Sequence, residues 1–502
     1  MTGLYRRLNA SPKATLAVII FTITALRVLV LLLTPLNLGP DEAQYWSWSL
    51  RPDFGYFSKP PLIAWLIGAS TSVCGTTEAC VRITSPFLHA MAATFIYFAA
   101  RALYEERTAF WSAITYLLIP GTSFSSLLIT TDVPLICFWT LALWAVAELR
   151  AEYSWRWAAL LGAAIGLGLL SKYAMLYFVL GIALALLPTR DGISSLLDRR
   201  MWVSVAVAAA VFSPNVIWNL THGFATLRHT ASNANWGADR LFNVAHIFEF
   251  LGAQAGIMGP VAAGILVFGL WRAWKARSLA GPDLMMLTLS LPIIAIVTVQ
   301  AFISRANANW AAPAFVTLCI IVCAWAVRQN QFKVLLANTV VNASIAVLLA
   351  AMATSPAFVS AIGQENSVKR LRGWDEAGRT IITIASSAPF TAIMSDDRED
   401  MGSLFYYTRD RTIPLRMWPA ENVGNEYEAS YALSSNVASL VLFVTRKQDV
   451  SHITNAFASA ERVGSIETRL DSKRKRVFQL YALKGPVTAS TFPKFLNRPS
   501  TD

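Results

Sequence analysis

The stretch ATLAVIIFTITALRVLVLLL, residues 14–33, carries one charged side chain, Arg27, in twenty positions. A helix needs about 20 apolar residues to cross a bilayer. The run is too long for the apolar core of a cleavable signal, and no small-residue cleavage pattern follows it, so it reads as a retained anchor. The chain repeats this character: 55% of its 502 residues are hydrophobic and 14% charged, where soluble domains hold about 25% charge. It is read as an α-helical polytopic membrane protein.

Further apolar runs follow at 83–104, 109–128, 133–149, 157–170, 173–187, 202–218, 245–270, 284–302, 310–327 and 334–352, which with the first makes eleven spans. The stretch 62–73 follows Pro60-Pro61 and is too short to cross; it is expected as a juxtamembrane or half-embedded helix. The net charge of +12 sits mainly in loops between the runs, so it indicates topology rather than nucleic-acid binding. With the N-terminus inside, the inner segments hold fifteen Lys and Arg from Arg6 to Lys333, and the outer ones hold seven: Arg51, Lys59, Arg82, Lys172, Arg228, Arg240 and Arg305. The positive-inside rule favours that orientation. An odd number of spans then puts residues 353–502 outside the cytoplasm.

That tail is more charged, with Asp396-Asp397-Arg398-Glu399-Asp400 and Lys473-Arg474-Lys475-Arg476. β-rich runs at 391–394, 438–444 and 477–483, with helical segments between them, predict a small α/β extracytoplasmic domain. The predicted division is therefore 1–352, a membrane domain whose first outer loop is 37–61, and 353–502, a soluble domain. The five cysteines show no metal spacing. Cys137, Cys319 and Cys323 lie in apolar runs, whereas Cys74 and Cys80 face the oxidising side in this arrangement and could pair there.

The outer face collects nearly all of the chemistry-bearing side chains. Adjacent Asp41 and Glu42 follow Gly39-Pro40 just beyond the first span. Carboxylates at a membrane edge persist mostly where a substrate or a catalytic step uses them. The competing reading is a helix cap, with Asp41 at the N-cap and Gln44 three residues on. Tyr45, Trp46 and Tyr56 are either an interfacial belt or a sugar-stacking wall. Lys59 is a snorkelling lysine or a phosphate ligand, and Asp132 at the start of a span is an N-cap or a functional acid. Lys172, Arg228 and Arg305 add cations suited to an anionic lipid head group. His222 and His229, isolated in a long outer loop, give no metal site. Walker, dinucleotide, nucleophile-elbow and zinc motifs are missing, which disfavours a nucleotide-driven reaction and calls for an activated, membrane-bound donor.

The ordered motifs Asp41-Glu42-Ala43-Gln44-Tyr45-Trp46, Gly55-Tyr56-Phe57-Ser58-Lys59-Pro60-Pro61-Leu62, Thr131-Asp132-Val133-Pro134, Leu170-Ser171-Lys172-Tyr173, Pro214-Asn215-Val216-Ile217-Trp218-Asn219 and Asn309-Trp310 resemble those of the GT-C glycosyltransferases. Within that class the chain is similar to the branch of the lipid A aminoarabinose transferase and the lipopolysaccharide galacturonosyltransferases. Protein O-mannosyltransferases are more distant. The resemblance covers roughly residues 14–350 and implies inverting transfer of a sugar from a polyprenyl phosphate donor to lipid A, lipopolysaccharide or another envelope acceptor, at the periplasmic face of the bacterial inner membrane. It makes Asp41, with Glu42 completing the pair, the essential first-loop acid, Lys59 the donor-phosphate lysine, and Asp132 the later acidic residue. It also admits a divalent metal, but Ser58 stands where the aminoarabinose transferase has a glutamate, which argues against a metal site built on that side chain.

On the residues themselves, Asp41 serves as general base or orienting carboxylate, and Lys59, with Arg228, Arg305 or Lys172, stabilises the departing phosphate. Tyr45, Trp46, Tyr56 and His222 are the candidate substrate contacts. The alternatives are a lipid-linked sugar transporter, for which no inverted repeat is found, and a protein O-glycosyltransferase of the same fold.

Overall fold

The computed structural model describes residues 12–486 except 153, 189, 233–240, 278, 280, 420–424, 435–438 and 472. Arg6, Arg7 and Arg240 of the charge balance lie outside the described residues. Two compact units are present: residues 1–33, 53–55 and 59–351 form the first, and 34–52, 56–58 and 352–502 the second.

In the first unit every predicted apolar run is helical, but the helices differ in length. Among the described residues six are long and apolar enough to cross a membrane: α1 (Pro12–Leu33), then Glu78–Leu103, Asp132–Ala151, Arg199–Thr221, Gly281–Ile303 and Phe332–Thr354, the last running on into the second unit. Val244–Met258 and Pro260–Ala276 meet at a bend of 111°, where Gly259 takes φ +86° and Pro260 starts a new helix. The run at 109–128 is broken between Glu106–Leu118 and Pro120–Ser125, because the residue before a proline is driven out of the helical region; Ile119 has ψ 144°. Leu62–Cys74, Trp155–Ser171 and Ala314–Arg328 are short apolar helices. Cys74 and Cys80 form a disulfide.

Glycines bring the Trp155–Ser171 helix close to the Arg199–Thr221 helix. A Cβ on Gly162 would lie 2.4 Å from the Ser204 carbonyl oxygen, and one on Gly166 would lie 2.6 Å from the Val211 side chain. This is small-residue spacing of the kind that lets membrane helices touch backbone to backbone. Ser204 adds a hydroxyl donated to the Ala158 carbonyl at 2.7 Å. The seam fixes Lys172, at the end of one helix, relative to Asn215 and Asn219 on the other.

Elsewhere in this unit Asp283, buried, accepts from both guanidinium nitrogens of Arg328 at 2.6 Å, from Trp325 at 2.9 Å and from the Tyr104 hydroxyl at 2.9 Å. Arg27, buried within α1, donates to the Leu117 carbonyl.

The second unit is built on a five-stranded sheet: β1 (Ala392–Ser395), β2 (Leu415–Met417), β3 (Leu440–Thr445), β4 (Phe457–Arg469) and β5 (Lys475–Pro486), in the order β2-β1-β3-β5-β4. β2, β1 and β3 are parallel, and β3, β5 and β4 antiparallel. β1, β3 and β5 coincide closely with the predicted strands; β2 and β4 were not predicted, one being three residues long and the other largely exposed. Ala392, Met394, Val441, Phe443 and Leu483 form the centre of the core. Asp396 and Asp397 end β1, and Asp397 caps the helix Arg398–Tyr407 by accepting from the Glu399 and Asp400 amides at 2.8 and 3.1 Å.

Residues 34–52 pack within this unit. The helix Pro40–Ser49 lies against Arg398–Tyr407, where Gly402 leaves room for it: a Cβ there would stand 2.9 Å from the Pro40 carbonyl oxygen.

Candidate functional site

In the first unit the span Asp132–Ala151 begins at Asp132, but its carboxylate does not cap the helix. The N-cap is Thr131, with no side-chain cap bond. Asp132 is buried and its two oxygens accept separately from Lys172 Nζ at 2.7 Å and Asn309 Nδ2 at 2.8 Å. Three motifs distant in sequence thus meet on one carboxylate. Lys172, expected as a free phosphate ligand, is held by Asp132.

The Pro214–Asn219 motif is explained by the loop 53–55. Asn215 Nδ2 donates to the Phe54 carbonyl at 2.7 Å and its Oδ1 accepts from the Tyr173 hydroxyl at 2.9 Å. Trp218 Nε1 donates to Asp53 Oδ2 at 2.8 Å, and Trp65 Nε1 to the Asp53 carbonyl at 2.9 Å. Gly55 sits against Trp218 so closely that a Cβ would be 2.4 Å from the ring. These contacts anchor the chain four residues before Lys59, which is half-buried and precedes Pro60 and the helix Leu62–Cys74. His222 is exposed and stacks on the Trp218 ring, centroids 4.1 Å apart. Arg228 and Arg305 are exposed.

In the second unit the helix Pro40–Ser49 is capped differently from the sequence expectation. Gly39 is the N-cap, and the buried Glu42 carboxylate accepts the Gly39 amide at 2.8 Å, one half of a capping box. Proline at the first helical position starts the helix two residues earlier than an Asp41 cap would. Asp41 is relieved of that duty. Its exposed side chain lies 3.3 Å from Arg398 Nη2, while Arg398 Nη1 donates to Gln44 Oε1 at 2.8 Å. Exposed pairs of this kind contribute about 0–1 kcal/mol, so the Asp41 carboxylate stays available. Arg398 is a functional candidate that the sequence reading missed, its only signal being the charged run 396–400.

Tyr45, Trp46 and Tyr56 form neither a belt nor an open stacking wall. All three are buried. Trp48 stacks on Tyr56 at 4.6 Å, Tyr45 leans on Trp48 at 5.3 Å, and Trp46 meets the Tyr406 edge at 4.9 Å. Their aromatic area is spent on packing within the unit.

Residues 58–218 match the family described as dolichyl-phosphate-mannose-protein mannosyltransferase. The chain is also 34% identical over 440 residues to the lipid A galacturonosyltransferase RgtD of Rhizobium johnstonii, covering 87% of this chain and 91% of that one. The chain belongs to the GT-C glycosyltransferases. Its place there is near the lipopolysaccharide galacturonosyltransferase branch: RgtA of the same organism, a lipopolysaccharide core galacturonosyltransferase, is 26% identical over 195 residues, 38% of this chain and 39% of that one. The crystal structure of ArnT from Cupriavidus metallidurans in the apo state shares the fold, with a TM-score of 0.67 at 18% identity over 95% of this chain and all of that one. The same protein bound to undecaprenyl phosphate gives a TM-score of 0.64, again at 18% identity, over 94% of this chain and all of that one.

This glycosyltransferase is thus a multi-pass membrane enzyme. At the position of the family glutamate it has Ser58, which is buried, and a neutral hydroxyl is a poor substitute for a carboxylate ligand. Among the described residues no three His, Cys, Asp or Glu side chains converge as a metal cage. Ser58 therefore brings no carboxylate to a metal at that position.

Proposed function

We propose that this glycosyltransferase moves a sugar, with inversion, from a polyprenyl phosphate donor to lipid A or another lipopolysaccharide acceptor at the periplasmic face of the bacterial inner membrane. The names of RgtD and of the undecaprenyl-phosphate complex of ArnT support the acceptor and the donor class, and a galacturonosyl donor is the first to test. In the proposed topology eleven segments cross, the N-terminus is cytoplasmic and the second unit lies outside. The charge balance of the loops supports it, as does the Cys74–Cys80 disulfide, which belongs to an oxidising compartment.

The observation that carries the chemistry is the Asp41 carboxylate, exposed in the first turn of its helix while Glu42 performs the capping. In the proposed reaction the acceptor oxygen attacks the anomeric carbon, the bond to the polyprenyl phosphate oxygen breaks with its electron pair, and Asp41 takes the acceptor proton. Lys59 neutralises the phosphate that leaves, and the exposed Arg228 and Arg305 are further cations for it. Where the acceptor is an already ionised phosphate no base is needed, and Asp41 positions the substrate instead. Lys172, held by Asp132, is a positioning element.

The test is reconstitution of the purified protein with a labelled polyprenyl phosphate sugar and lipid A. Asp41→Asn should abolish transfer while leaving the amount and thermal unfolding of the protein unchanged; a fully active variant removes the assignment.

A further inference from the structure

The second unit holds a cleft of about 310 Å³ whose charged lining is Lys369, Arg370, Arg446 and Arg476 against one carboxylate, Glu399. We propose that this cleft binds a phosphate group on the glycan of the acceptor lipid. The proposal rests on the acceptor class given above.

Two of the cations, Lys369 and Arg370, are held facing outward, and the other two lie deeper beside Asp400. Backbone carbonyls of residues 369–372 are taken up inside the unit. Lys369 and Arg372 accept from Arg476, Arg370 accepts from Trp374 Nε1 at 3.0 Å, and Leu371 accepts from the Asn37 amide at 2.9 Å. This fixes the short turn and leaves the Lys369 and Arg370 side chains exposed. Among the described residues neither has a carboxylate within ion-pair distance. Arg476 is buried, lies over the Trp374 ring at 3.9 Å, and donates to carbonyls rather than to an acid. Arg446 is the one cation with carboxylate partners, Asp400 at 2.7 Å and Asp397 at 3.4 Å.

A guanidinium fixed over an indole and removed from water has lost solvation that a chelating anion restores, and its planar fork suits phosphate. The exposed Lys369 and Arg370 have no carboxylate within ion-pair distance among the described residues, so an anion placed between them and the two deeper guanidinium groups is favoured by their summed charge. Pro40 lines the same cleft, and Asp41 is the next residue, about 3.8 Å away from Cα to Cα. The volume falls at the lower end of the range for small-molecule sites, about 300–1,000 Å³.

The test uses the full chain in lipid nanodiscs and the exposed pair Lys369→Glu with Arg370→Glu, which leaves the buried Arg476 in place. Binding is measured by calorimetry with a water-soluble phosphorylated glucosamine disaccharide, its dephosphorylated counterpart, inorganic phosphate and undecaprenyl phosphate as separate probes. The phosphorylated disaccharide should bind the native protein at least about tenfold more tightly than the dephosphorylated one, and the double variant should lose that preference. Undecaprenyl phosphate binding should be unchanged.

Equal binding of both disaccharides, an unaffected variant, or inorganic phosphate competing as well as the sugar phosphate overturns the proposal. So does a parallel loss of undecaprenyl phosphate, which would make the cleft a donor site. Because binding is read without turnover, failure of transfer alone counts against the assigned reaction and not against the cleft.

Discussion

Replacing Lys172 by methionine tests whether Asp132 and Lys172 are one unit. Asp132 is 5% exposed and its Lys172 partner is about one-fifth exposed at the side chain. Breaking a buried ion pair costs about 3–5 kcal/mol because one charge is left without compensation. The partial exposure of Lys172 reduces this, so Lys172→Met should cost about 2–3 kcal/mol. Asn309 still donates at 2.8 Å but is neutral and does not replace the cation.

Asp132→Asn should be milder, at about 1–2 kcal/mol, since the released ammonium can turn towards water and the amide keeps one acceptor. The double variant should then lose less than the sum of the two, by a coupling energy of about 1–2 kcal/mol. Thermal unfolding in one detergent, with donor transfer measured on the folded fraction, reads all four proteins. Transfer should fall with Lys172→Met beyond what the lost folded fraction explains, because an unpaired Asp132 carboxylate would repel a phosphate donor. Additive single losses, or a Lys172→Met protein as stable and active as the native one, would refute the pairing.

Three further outcomes follow from other parts of the molecule. Gly55→Ala places a methyl 2.4 Å from the Trp218 ring; it should cost about 1–3 kcal/mol of overpacking and raise the KM for the donor, as measured by steady-state transfer, by displacing the loop before Lys59. Chelation of divalent metal should leave the transfer rate unchanged, since Ser58 stands where a carboxylate ligand would be needed; inhibition reversed by added metal would show that other side chains hold a metal. Burial holds the Asp400 carboxyl up at about 7, above its ordinary 3.8, against the opposing pull of Arg446 and Arg476 and with a further push from Asp397. Between those values the folded state binds a proton that the unfolded chain releases, so stability is present at low pH and is lost as pH rises through 7, by up to about 1.4 kcal/mol per pH unit. Thermal unfolding should therefore come at higher temperature at pH 6 than at pH 8, and Asp400→Asn should flatten that difference.

The membrane character of the chain could be read from 14–33 and its repeats because transfer of apolar surface from water depends on composition, which sequence carries in full. The helix breaks were legible only where a local residue dictates them, as Pro120 does after Ile119. Reading failed where the partner lies far away in the chain. Asp132 looked like an N-cap because a cap needs only its neighbours, yet its oxygens are taken by residues 40 and 177 positions distant. Trp46 and Tyr56 looked like surface aromatics because the rings covering Trp46 include Tyr406, from the opposite end of the sequence. Asp41 and Glu42 show the limit most sharply: both are acids in a first helical turn, where the macrodipole favours either. The position of Pro40 decides between them: it makes Gly39 the N-cap and puts Glu42 where its carboxylate accepts the Gly39 amide. The same proline lines the cationic cleft. One rigid residue therefore starts the helix, buries one carboxylate, exposes the other and borders the cations, which is why the neighbourhood of residue 40 concentrates the chemistry of this unit.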